Sequence, residues 1–558
     1  MWTIRALRSY YLSGQGSPRQ VVQELLAKIA REKDSNAWIH VATHENLAKY
    51  LDRLSKMNPQ DLPLWGIPFA VKDNIDVEGM PTTAACPDFS YIPREHAPVV
   101  ERLIEQGAIP LGKTNMDQFA TGLVGVRSPY GIVKNPLHPE HITGGSSSGS
   151  AAALALGHVA FALGTDTAGS GRVPAAFCGL VGVKPSLGLL SAKGIVPACK
   201  SLDCVSIFTH NLDDARLVLD SVHMNPCKEE SAPHTLLLPL EKQVQFFGDK
   251  SYREPWEAQV RLVQRISDLS IQYVDISPLL ETAKLLYQGP WIAERWASLR
   301  EFVGKNPESC LPLTRSILEQ GSRVTGSDVF HGLEALAYFQ QQSEQIMKPG
   351  CILMLPTAGA IFTQEEVAQE PLLRNQELGT YTNFMNLLRL CGLAIPAGKT
   401  MQGLSFGVTL VGRNGSDHAL LGMARRLMRE TTEIAVLGAH MRGLPLNHEL
   451  LDCGAEFLRE DETSPHYQLF ALCTQPAKPG LVRVNATGAS IALEVWRIPL
   501  EQYGRFVSKI PAPLGIGNIE LKDGRSVQGF LCEASATVNA TEITLDHGWR
   551  NYLKNKAG

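Results

Sequence analysis

The chain has 558 residues, of which 44% are hydrophobic and 19% charged, and its formal net charge at pH 7 is −4. This is the composition of an ordinary globular protein, long enough for roughly two to four domains. The near balance of charge gives no electrostatic argument for nucleic acid or an anionic membrane as a partner, and no apolar run reaches the roughly eighteen residues that span a bilayer. Eleven scattered cysteines without a C-x-x-C pair predict reduced thiols in the cytoplasm and no metal site.

The first predicted elements are two short helices within residues 1–30. Ser17 is the predicted N-cap of the second helix, and Pro18 is its first helical residue. The predicted buried stripe of that helix consists of Val22, Leu25, Leu26 and Ile29. The same segment lacks an apolar signal core and a small-residue cleavage site, so no targeting peptide is expected.

Residues 1–432 alternate between short β-rich stretches and helical patterns. "WGIPFAVKDNIDV" and "HVAFALGTD" are typical of strands, whereas "APVVERLIEQGA" has apolar residues at helical spacing. This alternation predicts an α/β domain with a central mixed β-sheet covered by helices. Residues 433–558 contain mostly short strands and turns, such as "YQLFALC" and "SIALEVWRI". They are predicted to form a smaller β-rich C-terminal domain.

The run "ITGGSSSGSAAALALG", residues 142–157, joins a Gly/Ser-rich turn to an uncharged helix. No Lys follows the glycines, so a phosphate-binding loop is not favoured. The segment Gly145 to Gly149 satisfies the pattern G-x-S-x-G with Ser147 as nucleophile. Such an elbow follows a buried strand, however, and the preceding "KNPLHPEHIT" is polar and holds two prolines. A plain turn before a helix satisfies the same pattern.

Two further segments carry groups suited to acyl transfer. In "GTDTAGSGRVPAAFCG" a predicted strand ends in the turn Thr167-Ala168-Gly169-Ser170, where a helix with Pro174 in its first turn is expected to begin. N–H groups without a helical partner can hold the oxyanion of a tetrahedral intermediate beside the Ser170 hydroxyl. Lys72 ends the apolar segment "GIPFAVKDNID", where burial favours the neutral amine and can lower a Lys pKa by up to roughly 3–5 units. A neutral Lys can act as a general base.

The segments "GIPFAVKDNIDVEGMPTT", "LGKTNMDQFA", "GGSSSGSAAALALG" and "GTDTAGSGRVPAAFCG" together resemble the amidase signature family in order and spacing. The resemblance covers about residues 1–430. It implies a Ser–cisSer–Lys triad in which Ser170 is the nucleophile, Ser146 follows a cis peptide bond and relays the proton, and Lys72 is the base. It also implies an oxyanion hole formed by the backbone of residues 167–170.

Charged residues beside these segments are expected to have structural roles. Asp166 and Arg172 flank the turn of the predicted nucleophile, where a charged side chain more often braces the backbone than reacts. Lys113 and Asp117 belong to the segment "LGKTNMDQFA" and are expected to be structural for the same reason.

The segment "LLYQGPWIAERWASLREFV" predicts a helix that Pro290 opens, with Trp291, Arg295 and Leu299 on one face. An Arg among large apolar groups requires an anion, because burying the unpaired charge is costly. From these residues alone, the favoured partner is a protein carboxylate such as a neighbouring Glu.

The last 120 or so residues resemble the C-terminal domain of the allophanate hydrolase family. The segments that carry this resemblance are "VLGAHMRGLPLN", "AKPGLVRV", "EVWRIPLEQYGRFVSKIPAPLGIG" and "GRSVQGFLCE". With "TTAACP" and "TDTAGSGRVPA", the whole chain is similar to that family. The resemblance implies that Tyr287 and Arg295 bind the carboxylate of the substrate, which reverses the expectation for Arg295.

The resemblance further implies a function in urea degradation. The amidase domain would release ammonia from allophanate (urea-1-carboxylate) through an acyl-enzyme, and the second domain would remove carbon dioxide from the resulting N-carboxycarbamate. No metal or organic cofactor is expected. The expected partners are a biotin-dependent urea carboxylase and a second copy of the chain, and the expected location is the cytoplasm. The alternatives are a general amidase, one component of an amidotransferase, or a non-catalytic scaffold that binds a carbamoyl metabolite.

His440 is the candidate catalytic residue of the tail. It lies in "IAVLGAHMRG", where a predicted strand ends in a turn and Gly438 and Gly443 allow the backbone to approach closely. The tail resembles the γ-glutamylcyclotransferase-like fold but lacks the "YGSL" loop of that family. A His can protonate the nitrogen that decarboxylation releases. Alternatively, His440 only ties the turn together, and both interpretations stay open.

Overall fold

The computed structural model describes residues 2–223, 233–266, 269–428, 431–474, 478–485 and 488–557. The chain divides into two compact units, Met1–Leu427 and Met428–Gly558. The domain boundary predicted at residue 432 stays a prediction. Among the described residues, no helix combines the length and the apolar character that crossing a membrane requires.

One large sheet forms the centre of the first unit. Its strands run in the order β1-β3-β2-β4-β6-β5-β10-β11-β9-β7-β8. Strand β2 is parallel to β3 and β4, β7 is parallel to β8 and β9, and other neighbours are antiparallel, so the predicted mixed sheet is confirmed. The strands are β1 (Trp38–Val41), β2 (Pro68–Lys72), β3 (Ile109–Thr114), β4 (Phe161–Asp166), β5 (Val181–Lys184), β6 (Cys204–Thr209), β7 (Thr235–Pro239), β8 (Ser270–Val274), β9 (Cys351–Pro356), β10 (Cys391–Lys399) and β11 (Ser405–Gly412).

Helices accompany this sheet along the chain, as the α/β alternation predicts. Several of them, among them α5, α6, α7, α8 and α16, contact its strands directly. The helices of the unit are α1 (Ile4–Leu12), α2 (Pro18–Arg31), α3 (His44–Leu54), α4 (Pro98–Glu105), α5 (Ser148–Ala155), α6 (Val173–Phe177), α7 (Leu212–Val222), α8 (Lys250–Val263), α9 (Ser277–Gln288), α10 (Trp291–Lys305), α11 (Pro312–Gln320), α12 (Gly326–Ile346), α13 (Gln364–Gln369), α14 (Pro371–Leu378), α15 (Phe384–Leu387) and α16 (Asp417–Leu427).

Helix α2 begins as the sequence predicts. Ser17 and Gln20 form a capping box in which each side chain accepts from the other residue's backbone N–H, and Pro18 is the first helical residue. The predicted buried stripe is wrong at one position. Val21 is buried, whereas Leu26 is only half-buried, because the contact face lies slightly to the Val21 side of the helix.

Helix α5 explains the composition of the Gly/Ser/Ala run. All residues from Ser148 to Leu154 are buried, and the helix packs on strands β2, β3, β4 and β6. A Cβ on Gly149 would lie 2.4 Å from both the carbonyl oxygen of Ala37 and the amide nitrogen of Asn115. Small side chains are therefore required for the helix to lie this close to its neighbours.

Parallel pairing of β2 with β4 brings two of the predicted segments together. Phe69 pairs with Phe161 and Val71 with Leu163, so both strands end at the same edge of the sheet. Lys72 is the last residue of β2. Strand β4 runs on into the turn that carries Ser170, so Lys72 and that turn meet at one edge.

The second unit is smaller and β-rich, as predicted. Two sheets have the strand orders β13-β16-β12-β18-β17 and β15-β14-β19. Their core includes Ile434, Val495, Trp496 and Ile519. The elements are β12 (Thr431–Val436), α17 (Asn447–Asp452), β13 (Glu456–Glu462), β14 (Tyr467–Leu472), β15 (Lys478–Arg483), β16 (Ala492–Pro499), α18 (Leu500–Val507), β17 (Leu514–Glu520), β18 (Ser526–Cys532), β19 (Thr541–Glu542) and α19 (Trp549–Ala557).

Candidate active site

Three side chains singled out in the sequence lie in one hydrogen-bonded chain. Lys72 Nζ lies 2.8 Å from Ser146 Oγ, and Ser146 Oγ lies 3.0 Å from Ser170 Oγ. Lys72 Nζ also donates to Thr165 Oγ1 at 2.8 Å, and the Gly145–Ser146 peptide bond is cis. Because hydroxyl groups rotate and both donate and accept, this chain can pass a proton from Ser170 through Ser146 to Lys72.

Burial favours the neutral amine of Lys72. Its side chain is completely buried, and this lowers its pKa from 10.5 to about 7. The carboxylates of Asp117, Asp166 and Asp203 oppose the shift, and the Arg295 guanidinium adds to it. A substantial share of the amine is therefore neutral near pH 7 and can accept a proton.

An ion pair braces the turn that carries Ser170. Arg172 Nη2 and Nε donate to the two carboxylate oxygens of Asp166, each at 2.9 Å, and both side chains are fully buried. The same carboxylate accepts the backbone N–H of Gly171 at 2.9 Å. Helix α6 has Pro174 in its first turn, as expected, but it begins at Val173, three residues beyond the turn where its start is predicted. The backbone donors beside Ser170 belong to a turn that Asp166 holds in place.

The predicted oxyanion residues differ in what their N–H groups contact. Gly169 donates to Asp166 Oδ1 at 3.0 Å and therefore already has an acceptor. In the described part of the chain, the N–H groups of Thr167, Ala168 and Ser170 have no acceptor. Gly169 has φ +135°, and a Cβ there would lie 2.5 Å from Thr382 Oγ1, so glycine is required at this position.

Ser147, the nucleophile of the alternative elbow, has a structural contact. Its Oγ donates to the carbonyl oxygen of Thr165 at 3.1 Å, and the residue is fully buried just before helix α5. The polar segment before it forms no strand. The elbow interpretation therefore lacks its structural context.

Arg295 lies on the buried face of helix α10, as the helical spacing predicts. It is 2% exposed, and its Nη1 donates to the carbonyl oxygen of Ala120 at 3.1 Å and to Thr121 Oγ1 at 2.9 Å. No carboxylate of the described residues forms an ion pair with it. The neighbouring Glu294 instead accepts from the backbone and side chain of Ser201. The protein-carboxylate partner favoured by the sequence pattern is therefore absent among the described residues.

Tyr287, the other predicted carboxylate-binding residue, lies near Arg295. The guanidinium carbon of Arg295 is 6.0 Å from the centroid of the half-buried Tyr287 ring. Tyr287 is near the end of α9 and Arg295 is in the second turn of α10, so the short break between the two helices brings them together. The pair forms a cationic and hydroxylic surface suited to an anion.

His440 lies in a cavity of the second unit of about 160 Å³. Its Nε2 is 3.0 Å from Glu449 Oε2, and the ring of Phe530 stacks on its imidazole with 5.2 Å between ring centroids. Lys478 and Lys509 line the same cavity. Burial lowers the pKa of His440, Glu449 opposes that shift, and Lys478 adds to it.

The close backbone approach expected around His440 is confirmed at Gly438 and wrong at Gly443. A Cβ on Gly438 would lie 2.7 Å from Pro479 Cγ, whereas a Cβ on Gly443 would have no heavy atom within 4 Å, and Gly443 instead allows the turn its φ of +74°. The carbonyl oxygen of His440 accepts from Asn447 Nδ2 at 2.9 Å. Both the turn-tying role and a chemical role are compatible with these contacts.

Two family models match the chain. One, described as Amidase, matches residues 20–421, and the other, described as Allophanate hydrolase C-terminal domain, matches residues 432–554. The chain belongs to the amidase family of amidohydrolases. Its large mixed sheet, its helices and its β-rich second unit agree with this assignment.

Several known proteins are similar to this amidase. Urea amidolyase of Saccharomyces cerevisiae is 39% identical in an alignment of 609 positions that covers 99% of the chain and 33% of that protein. Urea amidolyase of Lachancea kluyveri is 40% identical, covering 97% of the chain and 32% of that protein. The chain thus spans about one third of the urea amidolyases it matches. The selenomethionine form of Kluyveromyces lactis allophanate hydrolase has 38% identity and a TM-score of 0.73, covering 100% of this chain and 99% of that chain.

Two polar residues of the amidase site have no signal in the sequence. Thr165 accepts from Lys72 Nζ but looks like an ordinary strand residue. Asp203 accepts the backbone N–H of Ala198 and the hydroxyl of Thr167, and burial raises its pKa to about 6. Neither contact could be found without knowing that β2, β4 and β6 are neighbours.

Asp117 and Lys113 have the structural roles expected for them. The Asp117 carboxylate accepts the backbone N–H groups of Gly125 and Arg127, at 3.0 and 2.9 Å. Lys113 forms a buried ion pair with Asp73 at 3.4 Å. Across the residues that the structure describes, no group of three or more His, Cys, Asp or Glu side chains is arranged to hold a metal ion.

Proposed function

We propose that the chain hydrolyses allophanate, with ammonia as the first product. The observation that carries this proposal is the buried Arg295 guanidinium, which forms no ion pair with a carboxylate of the described residues and acts electrostatically on Lys72 of the relay. A site built this way favours a small amide that carries an anionic group. Likeness over its whole length to an allophanate hydrolase supports the same substrate.

The first step forms an acyl-enzyme. Neutral Lys72 accepts the proton of Ser146, Ser146 accepts that of Ser170, and Ser170 Oγ attacks the terminal amide carbonyl. N–H groups of the turn hold the oxyanion, and those of Thr167, Ala168 and Ser170 are the ones without another acceptor in the described part of the chain. The C–N bond then breaks, and the proton returns through Ser146 to the leaving nitrogen, which departs as ammonia.

The second step releases the product. Water attacks the acyl carbon, the relay takes one of its protons, and this proton returns to Ser170 Oγ as the ester bond breaks. The new carboxyl group then loses its proton to solvent. The product is N-carboxycarbamate, a dianion with one nitrogen between two carboxylates. Throughout both steps Arg295 and Tyr287 would hold the original carboxylate, so that the amide end faces Ser170.

Ammonia release and active-site labelling test this proposal. The purified chain should release ammonia from allophanate, and a fluorophosphonate probe should label Ser170. A general amidase would act equally on simple uncharged amides, and a scaffold would neither react with the probe nor release ammonia. Ser147→Ala is the matched control for Ser170→Ala. If Ser147→Ala lost activity while Ser170→Ala kept it, the elbow interpretation would be restored.

For the second unit we propose decarboxylation of N-carboxycarbamate. The observation that favours it is the cavity that His440 lines together with Lys478, Lys509 and Glu449. Glu449 Oε1 lies 3.9 Å from Lys509 Nζ, and the two ammonium groups outnumber this one carboxylate, which suits a bound dianion. Protonated His440 would donate to the nitrogen as one C–N bond breaks. Carbon dioxide leaves and carbamate remains. A bound dianion would raise the pKa of His440 against the effect of burial.

Carbon-13 NMR of the products from labelled allophanate tests this second proposal. His440→Ala in the full chain should accumulate N-carboxycarbamate while releasing ammonia at the normal rate. His448→Ala is a matched control, because His448 is an exposed histidine whose Nδ1 contacts the carbonyl oxygen of Pro445. Identical product profiles for His440→Ala and the wild type would leave His440 the role of tying the turn.

We also propose that the protein is a homodimer in the cytoplasm and that a biotin-dependent urea carboxylase supplies its substrate, allophanate. Helix α12 presents exposed apolar side chains, among them Phe330 (73% exposed), Leu333 and Tyr338, which a second copy would cover. The ten cysteines described are all free thiols, which suits a reducing compartment. Sedimentation analysis of the wild type and of Phe330→Glu tests the dimer, because the charged variant should be monomeric.

A further inference from the structure

The guanidinium of Arg127 is buried and makes its hydrogen bonds to backbone carbonyl groups. The residue is 5% exposed, its Nη1 donates to the carbonyl oxygen of Thr121 at 2.9 Å, and its Nη2 donates to that of Pro371 at 2.7 Å. Its Nε is buried and has no hydrogen-bond partner among the described residues. No carboxylate of the described residues forms an ion pair with this guanidinium. A cation buried in this way ordinarily has an anion as its partner.

Arg127 and Arg295 converge on one residue. Arg127 Nη1 donates to the backbone carbonyl of Thr121, and Arg295 Nη1 donates to the Thr121 hydroxyl, each at 2.9 Å. The two guanidinium groups carry the same charge and both contact Thr121, so they repel each other. Burial lowers the pKa of Arg127 and the Arg295 charge lowers it further, while Asp117 and Tyr287 act in the opposite direction. At Arg295 burial is outweighed by Cys199, Tyr287 and Asp203, which hold its pKa above the ordinary value. An anion bound between the two guanidinium groups would relieve the repulsion.

The segment that carries Arg127 packs against the turn of Ser146. Gly145 N–H donates to the carbonyl oxygen of Leu123 at 2.8 Å, and Asp117 N–H donates to that of Ser146 at 3.1 Å. The Asp117 carboxylate in turn accepts the backbone N–H of Arg127 at 2.9 Å. The Arg127 backbone is therefore linked to Ser146 of the proton relay through Asp117.

We infer that Arg127 is a second substrate-binding residue, whose Nε donates to the carboxylate that Arg295 also holds. The inference rests on the proposed hydrolysis of allophanate. Two guanidinium groups would hold the carboxylate from two sides and so orient the amide end toward Ser170. Biuret has the same heavy-atom skeleton with an uncharged amide in place of the carboxylate, and a second cation gives it no advantage.

The competing role for Arg127 is to brace the backbone through Thr121 and Pro371. Arg8 provides a matched control for that role, because its Nη1 also donates to two backbone carbonyls, those of Leu62 and Pro63, at 2.7 Å each. If Arg127 only braces the backbone, its replacement should lower the melting temperature and reduce kcat/KM for all substrates alike. If Arg127 contacts the anion, its replacement should reduce kcat/KM for the charged substrate alone.

The experiment measures kcat/KM for allophanate and for biuret, with melting temperatures, in the full-length wild type and in Arg127→Gln, Arg127→Lys and Arg8→Gln. We expect Arg127→Gln to lose roughly ten- to a hundredfold on allophanate, mainly in KM, and less than about threefold on biuret. Arg127→Lys should recover part of the loss on allophanate because it retains the charge. Arg8→Gln should leave the allophanate-to-biuret ratio unchanged.

Equal losses on both substrates in Arg127→Gln, or no recovery in Arg127→Lys where that variant melts like the wild type, would overturn the inference while leaving the proposed function intact. If Arg127→Gln does not fold, Arg127→Lys decides alone. A loss concentrated in the KM for allophanate supports the inference, and an equal loss on biuret overturns it. A wild type that releases no ammonia from allophanate would instead contradict the proposed function itself.

Discussion

The two candidate sites of this amidase are built in different ways. In the first unit, Lys72, Ser146 and Ser170 are each no more than 3% exposed, and short hydrogen bonds connect them at the edge of a large sheet. In the second unit, His440 has 14% of its side chain exposed and pairs with Glu449 beside two lysines. A relay of small hydroxyls depends on exact placement, whereas a charged cavity acts over longer distances and tolerates small shifts. Substitutions should therefore be all-or-none in the first site and graded in the second.

The largest expected effect is that of Ser170→Ala. Without a nucleophile, kcat for ammonia release should fall on the order of 10⁴-fold or more, and adding Lys72→Met should lower it little further because the residues act as one unit. Steady-state kinetics of the single and double variants measure this. Additive losses would mean that Lys72 and Ser170 act independently, and the comparison between the two sites would lose its basis.

Arg295→Ala should have the next largest effect. A charge-assisted contact removed from a buried site costs about 1.5–3 kcal/mol, which is roughly ten- to a hundredfold in KM for allophanate. Arg300 lies exposed on the same helix, so Arg300→Ala is the matched control. Equal losses on allophanate and biuret would show that Arg295 has only a structural role.

The pH profile should show the lowered pKa of Lys72. Because only the neutral amine accepts a proton, kcat/KM for an uncharged amide should rise with pH and reach half its plateau near pH 7. The sign follows from burial, which disfavours the charged form and moves the titration down from 10.5 to about 7. If kcat/KM does not rise between pH 6 and about 8, Lys72 is not the base.

The smallest expected effect on the first reaction is that of substitutions in the second site. Lys478→Ala and Lys509→Ala should leave the rate of ammonia release within about twofold of the wild type and slow carbon dioxide release by about tenfold or less each, since each ammonium is one of two and partly solvated. A coupled assay of both gases from one sample checks the split. A change in ammonia release as large as that in carbon dioxide release would tie the two sites together and break the comparison.

The features that could be predicted from the sequence are those that depend on residues close together in the chain. The mixed sheet, the cap of α2 at Ser17, the helix opened by Pro290 and the role of Asp166 and Arg172 all follow from short-range patterns. The prediction of the buried face of α2 is wrong at Leu26, because packing decides which side of a helix is covered. Helix α6 begins at Val173, beyond the predicted turn, because packing also decides where that turn ends. The likeness of the second unit to the γ-glutamylcyclotransferase-like fold stays a prediction.

Contacts between distant parts of the chain were beyond such reasoning. Thr165, Asp203 and Arg127 become neighbours of the site only through the order of strands in the sheet and the fold of one loop. Arg127 looks like an ordinary polar loop residue in the sequence, and only its burial without a counter-ion among the described residues reveals it. A family resemblance was needed to single out Tyr287 for the same reason.

The most direct test of the account compares kcat/KM for allophanate and biuret in the full-length wild type under identical conditions. The two substrates share a skeleton and differ in the charge of one end, so their ratio isolates recognition of the carboxylate by the buried guanidinium groups. We expect a preference for allophanate of about tenfold or more, equivalent to at least about 1.4 kcal/mol. Equal rates, or a preference for biuret, would contradict it.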